Sequence, residues 1–184
     1  MSYKVLVIPE DPTWNGYILR PLTQALLKDA GKPNAKVKLL ENPRVGGFEQ
    51  AVRAIRNELQ NRYGFFDLWL FFPDADRATP NAMANLEADL QSRGVPLFCC
   101  PAKPEVEIYA CVAFQATLPG TWKDVRKHPQ MKEVVFEPLR MNLRDRRPGG
   151  GREQMIRKSL QNLQRLFQLC PETKLLRDRI AAYL

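Results

Sequence analysis

The first hundred residues alternate between short apolar runs and amphipathic stretches, and this alternation constrains the fold more than any other feature. Runs with the composition of buried strands lie at residues 3–8, 36–40, 66–72 and 95–100. Stretches with the apolar spacing of helices lie between them, at residues 14–30, 48–63 and 80–93. Strands that alternate with helices predict an α/β fold with a mostly parallel, Rossmann-like sheet flanked by helices.

The pattern changes after Pro101, and this change predicts the domain organisation. A helix is expected over 105–115, irregular structure over 119–151, and two helices over about 152–169 and 172–184. A chain of 184 residues suits one domain with a small appendage. We therefore expect an α/β domain over 1–118 and a basic, mainly helical C-terminal extension over 119–184, packed on the same domain.

Acidic residues follow two of the predicted strands directly. Glu10 follows the first strand, and Asp74 and Asp76 follow the third. Ligands of open α/β sheets bind outside the carboxyl ends of the strands, and neighbouring strands lie only about 4.8 Å apart. Because carboxylate oxygens are preferred ligands of Mg²⁺, these acids predict a metal site. The alternative is that the aspartates only cap the next helix.

The order of these acids resembles the Toprim domain, in which a glutamate follows the first strand and a DxD pair follows the third. Glu10 and Asp74-Ala75-Asp76 occupy those places. The chain also resembles small stand-alone Toprim-like proteins of unknown function, related to the nuclease domain of the OLD family. In these proteins a later helix carries one more acid, and the segment 104–109 resembles it, with Glu107 as the expected acid and Glu105 as the alternative. Cys170-Pro171-Glu172 and the short helix after it resemble their C-terminal ending.

The resemblance implies a Mg²⁺- or Mn²⁺-dependent nuclease, or a related phosphodiester-processing enzyme, that acts on DNA or RNA in bacterial phage defence with an ATPase partner protein. It implies that Asp74, Asp76 and Glu107 hold the metal, and that Glu10 serves as general base or acid, or as a further ligand. Two other interpretations stay open. One is a non-catalytic Toprim-like module that binds nucleic acid or a partner protein, and the other is a small-substrate phosphotransfer enzyme.

The positive charge of the chain is concentrated near its C-terminus. The net charge is +8, and residues 140–184 hold eleven Lys or Arg against four acids. A basic segment beside an acidic metal site favours nucleic acid as a partner, whereas the alternative is a solvated helical surface. The arginines next to the glycine run 149–151 are the predicted phosphate contacts, unless this run is a mobile linker: Arg144, Arg146, Arg147 and Arg152.

Several function classes are disfavoured by what the sequence contains. His128 is the only histidine, which excludes His-rich zinc hydrolases. The glycine run lacks the GxxxxGK[ST] spacing of a nucleotide P-loop, so ATP binding is not expected.

The four cysteines form no CxxC pair and predict reduced, mostly buried thiols. With neither a membrane-length apolar run nor a signal-peptide pattern, a cytoplasmic location is expected. The loop 44–47, before a predicted helix, is either a phosphate site or an ordinary turn.

Overall fold

The computed structural model describes residues 2–184 and has a four-stranded parallel sheet at its centre. The strands are β1 (Lys4–Pro9), β2 (Lys36–Leu39), β3 (Leu68–Phe72) and β4 (Leu97–Cys99). Their spatial order is β2-β1-β3-β4, and all three pairings are parallel. The predicted α/β fold with a parallel sheet is therefore confirmed.

Helices connect the strands much as the sequence pattern predicts. They are α1 (Gly16–Asp29), α2 (Phe48–Asn57), α3 (Leu59–Tyr63) and α4 (Pro80–Ser92). The prediction of one continuous helix over 48–63 is wrong, because the backbone at Glu58 leaves helical geometry, with φ of −119°. Thr79 begins α4 as its N-cap, and its hydroxyl accepts a hydrogen bond from the N–H of Ala82 at 3.3 Å.

Both faces of the sheet are covered, which explains why its central strands are apolar at every position. Successive side chains of a strand point to opposite faces. From β1, Val5 and Val7 pack with α1 on one face, whereas Leu6 and Ile8 pack with α2, α3 and α4 on the other. The side chains of β3 divide in the same way, and all five are buried. Strands buried on both faces are typical of parallel sheets.

The chain after β4 is mainly helical. It contains α5 (Ile108–Cys111), a 3-10 helix (Val112–Thr117), α6 (Trp122–Val125), a π-helical turn (Lys132–Phe136), α7 (Glu137–Asn142), α8 (Arg152–Leu160), α9 (Leu163–Leu169) and α10 (Pro171–Tyr183). The expectation of irregular structure over 119–151 is thus wrong for 122–125 and 131–142, which are helical, and confirmed for the rest of this range. The helix expected over 105–115 begins only at Ile108, and the one expected over 152–169 is split by Asn162, whose side chain caps α9.

The C-terminal helices complete the core on the α1 face of the sheet. Met155, Ile156, Leu166 and Ile180 belong to the same buried cluster as Val5 and Val7. Three ion pairs add to this packing: Arg126 with Glu172 at 3.0 Å, Arg177 with Asp29 at 3.2 Å, and Arg179 with Glu87 at 2.7 Å. Two basic residues of α10, Arg177 and Arg179, therefore tie this helix to α1 and α4 of the sheet domain.

The two edge strands of the sheet, β4 and β2, differ in the side chains that lie along them. At β4, the carboxylate of Glu87 accepts a hydrogen bond from the N–H of Cys99 at 2.6 Å and also binds Arg179. At β2, Lys36 and Lys38 alternate with less exposed residues and are themselves exposed.

Two further sequence expectations concern cysteines and membranes. All four cysteines are buried and free, as predicted. Within residues 2–184, no helix combines the length and apolar character that crossing a bilayer requires.

Candidate functional site: an acidic cluster at the carboxyl edge of the sheet

The strand order brings Glu10 and Asp74 together. β1 and β3 are parallel neighbours whose register pairs Pro9 with Phe72, so the residues after both strands meet at one edge of the sheet. The chain leaves β1 through α1 toward β2 on one side, while β3 lies on the other side. Such a reversal of strand order opens the crevice in which open α/β sheets bind ligands.

Glu10 joins two loops at this edge. Its Oε1 accepts a hydrogen bond from the N–H of Phe48 at 3.1 Å, and its Oε2 accepts one from the N–H of Asp74 at 3.0 Å. Because Phe48 begins α2, the carboxylate lies at the positive end of a helix dipole. Glu10 therefore already occupies the start of α2, where a phosphate would lie if the loop 44–47 were a phosphate site rather than an ordinary turn.

Asp74 is the most perturbed acid of the cluster. Burial, followed by the charges of Glu10, Glu107, Glu105 and Asp76, raises its pKa from 3.8 to about 8. Its Oδ1 is buried and has no hydrogen-bond partner. A buried, unpartnered carboxylate oxygen among like charges is costly. This atom is therefore the strongest indication of a ligand at the edge.

The loop after β4 brings two more acids to Asp74. The N–H of Ala75 donates to the carbonyl oxygens of Ala102 at 2.9 Å and of Pro104 at 3.1 Å, which ties this loop to the turn after β3. Glu107 follows in the loop and is 1% exposed. Burial and the charge of Glu107 raise the pKa of Glu105 to about 7. Both acids that the sequence offered for this position therefore lie close enough to act on Asp74 electrostatically.

Lys132 also belongs to this cluster, although the sequence analysis did not identify it. Its Nζ lies 3.1 Å from Oε1 of Glu107, and its N–H donates to Oε1 of Glu105 at 2.9 Å. Burial is the largest single effect and acts to lower the pKa of Lys132, but the charge of Glu107, its hydrogen bond with Lys132 and the charge of Glu105 together outweigh burial, so the pKa is raised. The π-helical turn thus places a fixed positive charge against the acids.

A helical signal for this turn is present in the sequence. Met131, Val135 and Phe136 are apolar and buried at a spacing of four and five residues. That spacing predicts a helical turn, although nothing in it indicates that Lys132 faces acids.

Asp76 lies at the margin of the cluster. Its side chain is 73% exposed and forms an ion pair with Arg77 at 4.0 Å. Within residues 2–184, no group of three or more His, Cys, Asp or Glu side chains is arranged to hold a metal ion. The donors match a hard cation in chemical kind, since all are carboxylates, but binding one requires these side chains to move together.

The arginines predicted to contact phosphate occupy different environments. Arg144 and Arg146 are exposed, and Arg147 is exposed but paired with Asp145 at 2.7 Å. Arg152 is 5% exposed, binds Glu137 at 2.8 Å, and stacks on Trp14 and Phe136. It lies in the interior rather than on the surface that a phosphate contact requires.

The glycine run before Arg152 is packed rather than loose. A Cβ at Gly149, where φ is +87°, would lie 2.7 Å from the ring of Tyr17, and the carbonyl oxygen of Gly150 accepts a hydrogen bond from Arg140 at 3.0 Å. The alternative of a mobile linker does not describe this loop in the structure.

Comparison with known proteins identifies no relative: no protein-family model, curated protein or solved structure matches the chain.

Proposed function

We propose that the protein is a divalent-cation-dependent enzyme that processes phosphodiester bonds of nucleic acid, with Mg²⁺ or Mn²⁺ as its cofactor. The observation that carries this proposal is the buried, unpartnered Oδ1 of Asp74, surrounded by the charges of four other acids. A hard cation would accept that oxygen as a ligand and would offset the repulsion among the carboxylates.

Asp74, Asp76 and Glu107 are the residues that would hold the cation. When bound, it supplies a Lewis acid that polarises the phosphoryl group and neutralises developing charge. To bind the metal, Glu107 has to give up the ion pair that it forms with Lys132. Glu10 is the proposed general base, and in the structure it fixes the peptide of Asp74 and the start of α2.

The proposal is tested by metal-dependent cleavage of end-labelled DNA and RNA strands, single and double, with Asp74→Asn beside the natural protein. Loss of a metal ligand removes several kcal/mol of transition-state stabilisation. Cleavage is therefore expected to fall by about 100-fold or more. Asp178→Asn is the matched control, because Asp178 is a surface residue of α10 paired with Lys174, and it should cleave normally. Equal cleavage by Asp74→Asn would assign the activity to a contaminant and refute the proposal.

A second candidate is a non-catalytic module that binds nucleic acid or a partner protein, including the expected ATPase. The observation that favours it is the satisfaction of the acids by the protein itself. Both oxygens of Glu10 accept backbone N–H groups, and Lys132 already balances Glu107. In that case, calorimetry should detect no Mn²⁺ binding at millimolar concentration, while nucleic-acid or partner binding persists.

A further inference from the structure

A groove runs along the seam between α1 and α8. It consists of two adjoining cavities of about 470 and 400 Å³. Gln24 of α1 and Arg157 of α8 line both of them. Thr13 and Glu41, which follow β1 and β2, line its first cavity, and Lys32, beyond the end of α1, lines its second. One end therefore lies at the carboxyl edge of the sheet, on the β2 side.

The lining of this α1–α8 groove is predominantly basic. Four Lys or Arg line it: Arg20, Lys28, Lys32 and Arg157. The acids that line it are Glu41 and Glu153, and Glu153 is already paired with Arg157 at 2.7 Å. Within residues 2–184, Arg20, Lys28 and Lys32 form no ion pair. The groove thus offers several uncompensated positive charges to a polyanion.

The spacing of these side chains suits an anion that repeats. Arg20, Gln24 and Lys28 stand four residues apart on α1, so they share one face of the helix at intervals of about 6 Å. Arg157 of α8 and Gln161, which follows α8, stand at the same interval and line the opposite wall. The charged and amide donors of α1 extend over about 12 Å from Arg20 to Lys28.

An aromatic side chain in the groove favours a single strand over a duplex, because the bases of a single strand are free to stack on it. The two helices pack on the same buried core through Ile18, Leu22, Met155 and Ile156. Tyr17 of α1 lines the groove beside them and is partly exposed. Its ring offers a face on which a base can stack, as in other single-strand binders.

We infer that the α1–α8 groove binds single-stranded nucleic acid by its phosphates and leads the strand to the acidic edge. The inference takes its substrate class from the proposed function, but it places the contact on α1 and α8 rather than on the arginines that precede α8.

The test is fluorescence anisotropy of labelled twelve-nucleotide DNA and RNA single strands, titrated over a range of salt concentrations in EDTA. The test variant is Arg20→Gln/Lys28→Gln. The control is Lys123→Gln/Lys127→Gln, which removes the same charge from exposed residues outside the groove. Binding by the test variant should weaken at least tenfold at low salt. Its slope of log affinity against log salt should flatten by about 1.4, since each phosphate contact on a single strand contributes about 0.7. The control should bind within twofold of the natural protein.

Three results would overturn the inference: unchanged binding by the groove variant, equal losses in both double variants, or a duplex of the same length that binds as tightly and depends equally on Arg20 and Lys28. Because EDTA prevents metal-dependent cleavage, this outcome is separate from the fate of the enzyme proposal. Groove-dependent binding without any cleavage by the natural protein would support the groove and refute the enzyme. Asp74-dependent cleavage with groove-independent binding would do the reverse.

Discussion

Asp74→Asn is expected to stabilise the folded protein even as it removes metal-dependent cleavage, and the gain should depend on pH. The carboxyl of Asp74 has a pKa of about 8 in the folded protein, against 3.8 as its ordinary value. Above pH 4 the unfolded chain releases this proton, whereas the folded protein retains it until about pH 8. Stability therefore falls as pH rises through this window, because the folded state binds more protons than the unfolded state.

The magnitude follows from the interval between the two pKa values. Each unit corresponds to about 1.4 kcal/mol. At pH 7, burial of this one acid therefore costs about 4 kcal/mol of unfolding free energy, and at pH 5 the cost is less than half of that. Asparagine has nearly the same shape and carries no titrating group, so it escapes the penalty. The advantage of Asp74→Asn should grow by roughly 2–3 kcal/mol between pH 5 and pH 7.

Urea unfolding at several pH values, in the absence of divalent cations, measures this difference. Asp76→Asn is the matched control in the same turn, because its side chain is largely exposed and its substitution should leave the pH dependence nearly unchanged. The reasoning is refuted if the free-energy difference between Asp74→Asn and the natural protein is the same at pH 5 and pH 7. Asp74 would then not have a raised pKa in the folded protein, and the argument for a cation at this position would be weaker.

Two further predictions concern the neighbours of this edge. Lys132→Met should raise the affinity for Mn²⁺ about tenfold in calorimetry, because it frees Glu107 from its ion pair at 3.1 Å. An unchanged or lower affinity would show that Lys132 does not compete with the cation. Gly149→Ala should destabilise the protein by about 2–4 kcal/mol in urea unfolding, since the left-handed backbone and the contact with the ring of Tyr17 both oppose a Cβ. A loss below about 0.5 kcal/mol would show that this loop adapts freely.

The sheet domain was predictable from sequence because its strands are buried on both faces. Uninterrupted apolar runs such as 68–72 leave few alternatives to a central parallel strand. The acids that end β1 and β3 were predictable for the same reason, since strand ends fix where they lie. The break at Glu58 was not predictable, because the apolar spacing continues from Phe48 to Tyr63 without interruption.

The positions of charged side chains were harder to predict from the sequence than those of apolar side chains. Arg152 was expected on the surface among its basic neighbours, but Glu137 and two aromatic rings hold it inside. Lys132 was overlooked because the apolar spacing around it predicts a helical turn but does not indicate that Lys132 faces acids. In both cases the partner is distant in sequence, and only the folded chain shows which charges are neutralised and which remain free to attract a ligand.

The edges of the sheet also determine how copies of this protein can associate. A strand with free backbone groups invites another strand to pair with it, in dimers and in aggregates alike. Here β4 is three residues long, and Glu87 occupies the outward N–H of Cys99 with Arg179 held against it. At the opposite edge, Lys36 and Lys38 would bring like charges together if two copies met along β2. Growth of the sheet from one molecule into the next is thus disfavoured at both edges, which favours helical surfaces for self-association.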